Sequence, residues 1–335
     1  MKKLFLLAAT ATMMFTSCSK TDVIYQDETP QEIGLFSVAK TQTKAAPQTT
    51  ATLNYDMAVA AYLVSGSTAP GNYFPYTKFI KQNDGTWTGG RYWPISSATI
   101  NFLAVAPEVE DVVETEFDVT THTSSAVTTL SDNSENQYDV MVGVGTGVKT
   151  DNTYNNVPVA LQHALAWINF GVKTNVTTDG YVVKVNSIVL NGAYYSGTLT
   201  STTTNPTASI SLDPATAFAW TDQDDATDAI ATPNATDGAK SNLVNNANYT
   251  AFGDGILVVP AEYANEALSF TINYTIQQGA SEPTHTFNYT HKFAATTWAP
   301  NKKYTYNVSI NLNEIKVSAT VGGWDQQDAT TVQIN

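Results

Sequence analysis

The chain has 335 residues, with 16 lysines and arginines against 30 aspartates and glutamates, and a formal net charge of −14. So acidic a surface repels phosphate backbones, which excludes nucleic acid as a partner, and the single arginine, Arg91, excludes a guanidinium cluster for anionic ligands. Only 14% of residues are charged and 42% are hydrophobic, with Thr, Asn, Ser, Val and Tyr abundant: a β-rich composition able to bury real cores.

Lys2 and Lys3 open the chain and are followed by one apolar run, "LFLLAATATMMF". That run is too short for a permanent membrane helix. Thr16, Ser17 and Cys18 come next, the order of a secretory signal ending in a lipobox. The reading is a signal peptide over 1–17, cleavage between Ser17 and Cys18, and acylation of Cys18. Cys18 is the only cysteine, so it has no internal disulfide partner. An ordinary signal with a stray cysteine is the alternative.

Residues 19–32 are polar and read as a tether. "IGLFSVAK" (33–40) is a short strand candidate, cut off from the rest by "TQTKAAPQTTAT" (41–52). An isolated strand must pair with something later in the chain, or be removed. "MAVAAYLV" (57–64) reads as a buried strand, and "GNYFPYTKFIKQNDGTWTGGRYWP" (71–94) as strands turning at Asn83-Asp84-Gly85. "ATINFLAVAP" (98–107) is a strand, and "SENQYDVMVGVGTGV" (134–148) is expected to end in a glycine-spaced loop. After the polar stretch 149–158, "VALQHALAWINFGVKT" (159–174) and "YVVKVNSIVLNG" (181–192) are expected to form one long hairpin. Residues 197–212 suggest two short strands, and 221–250 a long surface loop. "GILVVPAE", "LSFTINYTIQ", "THTFNYTHKF" and "KYTYNVSINLNEIKVSATVGGW" alternate with period two, and "TTVQIN" (330–335) ends the chain. The expectation is all-β: two antiparallel β-sandwiches meeting near residue 157.

Candidate chemistry is thin. His163 lies in an apolar run and is expected to be a hydrogen-bonded structural residue. His122, His285 and His291 are scattered, although His285 and His291, six apart, share a strand face. The acidic stretches 132–139 and 222–229 lack the sixth-position glycine of a calcium loop. Glu108, Glu110 and Asp111 imitate a carboxylate pair by proximity alone. Trp87, Tyr92 and Trp93 either cap a core or, if exposed, stack on sugar rings. No catalytic residue, metal or cofactor is expected.

The succession of "TQTKAA", "RYWP" with "INFLAVAP", "YDVMVG", "VALQHALAWINF", "ILVVPAE", and "WAPNKKYTYNVSINL" with "GGW", behind the lipobox, resembles the fimbrillin family of Bacteroidales pilus subunits. The resemblance implies two tandem transthyretin-like β-sandwich domains (45–156 and 157–335) and no catalysis. It implies a lipoprotein precursor carried to the outer membrane, then cut by a trypsin-like protease that removes the lipid-anchored propeptide 18–44 with the first strand. The matching cut lies between Lys44 and Ala45, with Lys40 and Thr41 as second choice. A strand from another subunit then fills the vacated groove, and the mature form resides in a fimbria on the cell surface. "TTVQIN" is a candidate donor, with Val332 and Ile334 on one face; it otherwise completes the second sandwich. The expected partners are other fimbrial subunits and, before processing, the outer membrane. Two alternatives stay open: a surface glycan-binding lipoprotein using Trp87 and Trp93, and a non-cleaved anchor subunit of the pilus.

Overall fold

The computed structural model describes residues 30–37, 53–66, 71–109, 113–118, 123–131, 136–150, 156–176, 180–203, 218–225, 230–232, 242–243, 248–279, 281–312, 315–324 and 330–332. Among them every regular element longer than a turn is a strand. The first part contains β1 (Glu32–Ser37), β2 (Met57–Gly66), β3 (Gly71–Lys81), β4 (Trp87–Tyr92), β5 (Ala98–Ala106), β6 (Val113–Asp118), β7 (Thr123–Thr129), β8 (Met141–Lys149) and β9 (Val157–His163). Then come β10 (Ala166–Thr174), β11 (Tyr181–Asn191), β12 (Tyr194–Thr202), β13 (Phe218–Asp225), β14 (Ile230–Thr232), β15 (Asn242–Leu243), β16 (Thr250–Val258) and β17 (Ala261–Tyr263). The last are β18 (Ser269–Gln278), β19 (Thr284–Lys292), β20 (Thr296–Trp298), β21 (Lys302–Ile310), β22 (Ile315–Gly323) and β23 (Thr330–Val332).

The first part is a closed barrel in the order β1-β4-β3-β2-β5-β8-β9, not the expected two-sheet sandwich. Its strands form as the sequence dictates. β5 is buried on both faces, matching its continuous apolar run. The β3–β4 turn uses Gly85 at φ 92°, with the Asp84 carboxylate accepting from the Thr86 N–H at 2.9 Å and hydroxyl at 2.6 Å. The expected glycine loop is instead strand β8, antiparallel to β5 and β9. Glycines at alternate positions serve one face, where β9 and a tryptophan crowd the backbone. A Cβ at Gly145 would stand 2.5 Å from the Pro158 carbonyl oxygen, and one at Gly147 2.6 Å from the Trp93 ring.

The second part faces the sheet β16-β10-β21-β22-β23 onto the sheet β14-β11-β18-β19, around a core that includes Phe170, Phe270, Phe293, Trp298 and Tyr306. The expected 159–192 hairpin does not form. The apolar run 159–174 is two strands, β9 in the barrel and β10 in the second part, and β10 and β11 lie in different sheets. Burial explains the parting: β10 is covered on both faces between β16 and β21, whereas β11 buries one. The expected loop over 221–250 contains strand residues of β13, β14 and β15.

The two parts share structure. β6 and β7 join β12 and β13 in one sheet, and β7 pairs with β12 from Thr123 to Thr129. A third core lies at the junction, with Leu103, Val142, Leu165, Trp167 and Leu257 among its members. Gln137 stitches it further: its amide oxygen accepts from the Leu257 N–H at 2.7 Å, and its amide nitrogen donates to the Leu257 carbonyl at 3.0 Å. By hydrogen bonding the barrel ends at His163, one strand beyond the expected 156/157 boundary, because β9 pairs with β8 and β1.

Candidate functional site: the groove of the first strand

β1 is gripped on both sides. It runs antiparallel to β4, with Leu35 opposite Trp87, and parallel to β9, with Leu35 opposite Val157 and Ser37 opposite Val159. The outer end is tied as well: the Trp93 N–H donates to the Gln31 carbonyl at 2.9 Å, and the Gly90 N–H to the Glu32 carboxylate at 2.8 Å. Alternation sends Ile33 and Leu35 fully inside, while Glu32 and Phe36 stay half-buried. Gly34 fits because a Cβ there would meet the Asn156 side chain.

The groove walls are stiff. Trp87 is buried in the same core as Ile33 and Leu35, and its indole N–H donates to the Tyr55 carbonyl at 2.8 Å. The Lys81 ammonium sits 3.5 Å from the centroid of the Trp87 ring; burial pushes its pKa below the ordinary lysine value, against the pull of Asp84. Trp93 packs edge-on to Phe102, 6.5 Å between centroids. Trp87 and Trp93 are therefore core residues, which removes the stacking platform the glycan-binding alternative needs; Tyr92 alone of the three is exposed.

Withdrawing β1 leaves β4 and β9 as facing edges with unpaired N–H and C=O groups. It also empties two apolar sites, each worth about 1.5–3 kcal/mol when filled. The site is therefore a slot shaped for one extended strand, bounded by backbone donors and acceptors on both sides.

The other sequence candidates are scattered. Ser17, Cys18, Lys40, Thr41, Lys44, Ala45 and Ile334 lie outside the described residues. Val332 ends β23, opposite Ala319 of β22. His163 is structural: its Nδ1 lies 2.8 Å from the Asp139 carboxylate, and its ring stacks on Trp324 at 4.1 Å. His285 and His291 share β19 but are not part of a metal-holding group; among the described residues none of three or more ligands is present. His122, Glu110 and Asp111 lie outside the described residues. Glu108 is committed to Lys78 at 2.6 Å and Tyr76 at 2.7 Å; burial works to raise its pKa, but these partners outweigh it and hold the carboxyl low.

The sequence reading missed the second wall, β9. Pro158 was the available signal: a proline within an alternating run marks an edge or a strand start.

A family model described as fimbrillin-like matches residues 28–324, from just before β1 to Trp324. The chain belongs to the fimbrillin-like family. It is 24% identical over 381 aligned positions to fimbrium subunit Fim1C of Phocaeicola vulgatus, covering 98% of each chain. The crystal structure of a fimbrial protein from Bacteroides vulgatus superposes with a TM-score of 0.58 at 18% identity, covering 88% of this chain and 99% of that one. A Bacteroides ovatus protein assigned to cell adhesion gives a TM-score of 0.50 at 12% identity, covering 90% and 100%. These likenesses show that the fimbrillin-like chain shares its overall fold with them.

Proposed function

We propose that this chain is a structural subunit of a cell-surface fimbria, polymerised by exchanging β1 for a strand of another copy. The observation that carries the reading is the position of β1. Among the described residues it is the first strand, it fills a two-sided groove, and the segment 38–52 after it holds Lys40 and Lys44. Only a terminal strand can be freed by a single cut without unthreading the rest. After that cut β1 is held without a covalent link, by two buried side chains, its ladder and the Trp93 and Gly90 N–H bonds at its outer end, an interaction another strand of similar alternation can match.

The remaining steps belong to the same reading. Cys18 carries the lipid that holds the precursor at the outer membrane. A protease cuts after Lys44, or after Lys40. The donor is the tail, with Val332 and Ile334 taking the two apolar sites. In support, among the described residues β23 pairs with three residues of β22, a short ladder to break on leaving. The same reading divides the chain between His163 and Ala166 into the barrel and the two-sheet part, and assigns no catalytic role.

The test is the N-terminus of assembled surface material, read by mass spectrometry. A start at Ala45, or at Thr41, is the expected result. A start at an acylated Cys18 would overturn the exchange mechanism and make the protein a non-cleaved anchor.

A further inference from the structure

We propose that β19 is a self-association edge, at which two copies of this chain pair antiparallel about a two-fold axis through Asn288. Proteins guard long open edges with charge, bulges, proline, shortness or cover. Four other edges carry such guards. β6 presents exposed Glu114, Glu116 and Asp118. β14 and β23 are three residues long. β16 is capped at Leu257 by the Gln137 amide and has an interrupted register.

β19 has none of these. It runs nine residues, pairs with β18 in unbroken register, and among the described residues has no strand on its other side. Thr284 to Asn288 are all exposed. It contains no proline and no acidic residue, and its one lysine, Lys292, is engaged by Glu266 at 2.7 Å. In a chain of net charge −14, this is an edge two copies can bring together without facing carboxylates.

The occupant follows from the strand itself. "HTFNYTH", residues 285–291, reads nearly the same in both directions about Asn288. In an antiparallel pair centred there, Phe287 faces Tyr289 of the second copy, Thr286 faces Thr290, and Asn288 faces itself. Such a pairing is isologous, and aromatic and threonine pairs are favourable cross-strand partners. The structure already builds these pairs one strand earlier. Phe287 stacks on Tyr274 at 5.4 Å, and Thr290 meets Thr271 at 3.0 Å. An amide ladder also leads outward: Asn186 donates to Asn273 and Asn273 to Asn288, each at 2.7 Å. A second copy continues all three patterns across the edge and joins two five-stranded sheets into one.

One strand edge falls short of the ~1,200–2,000 Å² of a stable interface, so isolated chains pair weakly. Repetition along a polymer raises the avidity and lets neighbouring fimbriae adhere side by side; only this last step rests on the reading above.

Disulfide trapping in the full chain carrying Cys18→Ser tests the pairing. Facing Cα atoms in antiparallel strands lie about 4.5–5.5 Å apart, within disulfide reach. Asn288→Cys at high protein concentration is expected to give roughly tenfold more linked dimer than Val127→Cys, an exposed position on β7. Thr286→Cys and Thr290→Cys should each link poorly alone, since like positions are about 13 Å apart in this register. Mixed, they should link as Asn288→Cys does. Equal linking at 288 and 127, or no gain on mixing, would overturn the proposal, whichever terminus the surface material has.

Discussion

Leu35→Ala is the sharpest probe of how the first strand is held. Leu35 is fully buried in the barrel, between Trp87 on one side and Val157 on the other. A leucine truncated in so enclosed a site costs its transfer free energy plus a cavity, about 2–5 kcal/mol. Phe36, its neighbour, points the opposite way and is half-buried; Phe36→Ala should cost about 1 kcal/mol or less. Urea titration of the uncleaved chain separates them. With a slope of about 1–3 kcal/mol per molar, a 3 kcal/mol loss moves the midpoint by roughly 1–3 M. Trp87 and Trp93 lie in the same core as Leu35 and report on it by fluorescence. If Phe36→Ala costs as much as Leu35→Ala, the alternation that places Leu35 inside is wrong and the groove is not built as described.

Two further outcomes are expected. Cutting the chain at 156/157 strips β9 from the barrel, so fragment 45–156 should show no cooperative melt, whereas 30–163 and 164–335 should bind each other one to one through β7–β12 and the third core; two independent monomers with unchanged melting temperatures by calorimetry would refute the shared junction. His291 lies among Phe270 and Phe293, and burial lowers its pKa below the ordinary value of about 6.5. The unfolded chain therefore binds the proton first, so this stability is complete above about pH 6.5 and is lost as pH falls through the folded value; His291→Phe should reduce the drop in melting temperature on acidification, and an unchanged pH profile would remove His291 as its source.

What the sequence disclosed was local. "MAVAAYLV" as a buried strand, the Asn83-Asp84-Gly85 turn, and the clean alternation of β18 and β19 each rest on neighbours a few residues apart. Trp87 and Trp93 as core residues followed from their place at strand ends. What it hid was long-range. Nothing within "IGLFSVAK" says that its two partners are β4 and β9, the latter about 120 residues away. The glycines of β8 look like a loop until Pro158 and Trp93 are seen against them. β13 lies in a polar stretch because its partner is β12, in a sheet built from both halves. Even the barrel is invisible in pattern alone, since closing a sheet changes no alternation.

The tail faces a choice that geometry makes exclusive. β9 starts beside Leu35 at Val157 and ends at His163, whose ring stacks on Trp324. Trp324 is held again by its N–H to the Asn301 carbonyl at 3.2 Å, and Asn301 by its N–H to the Leu165 carbonyl at 3.0 Å. The wall of the groove and the root of the tail are thus opposite ends of one strand. Residues 325–335 leave from this fixed point and span at most about 40 Å fully extended. Thr330 to Val332 use part of that length to turn back along β22. A tail paired there cannot also reach out to a second copy, so a donor role requires the β22–β23 ladder to break first. Three ladder residues set that barrier low, while the Trp324 stack keeps the break from spreading into β22. In the proposed exchange, occupation of the neighbour's groove would offset the lost ladder with two buried side chains and two strand edges.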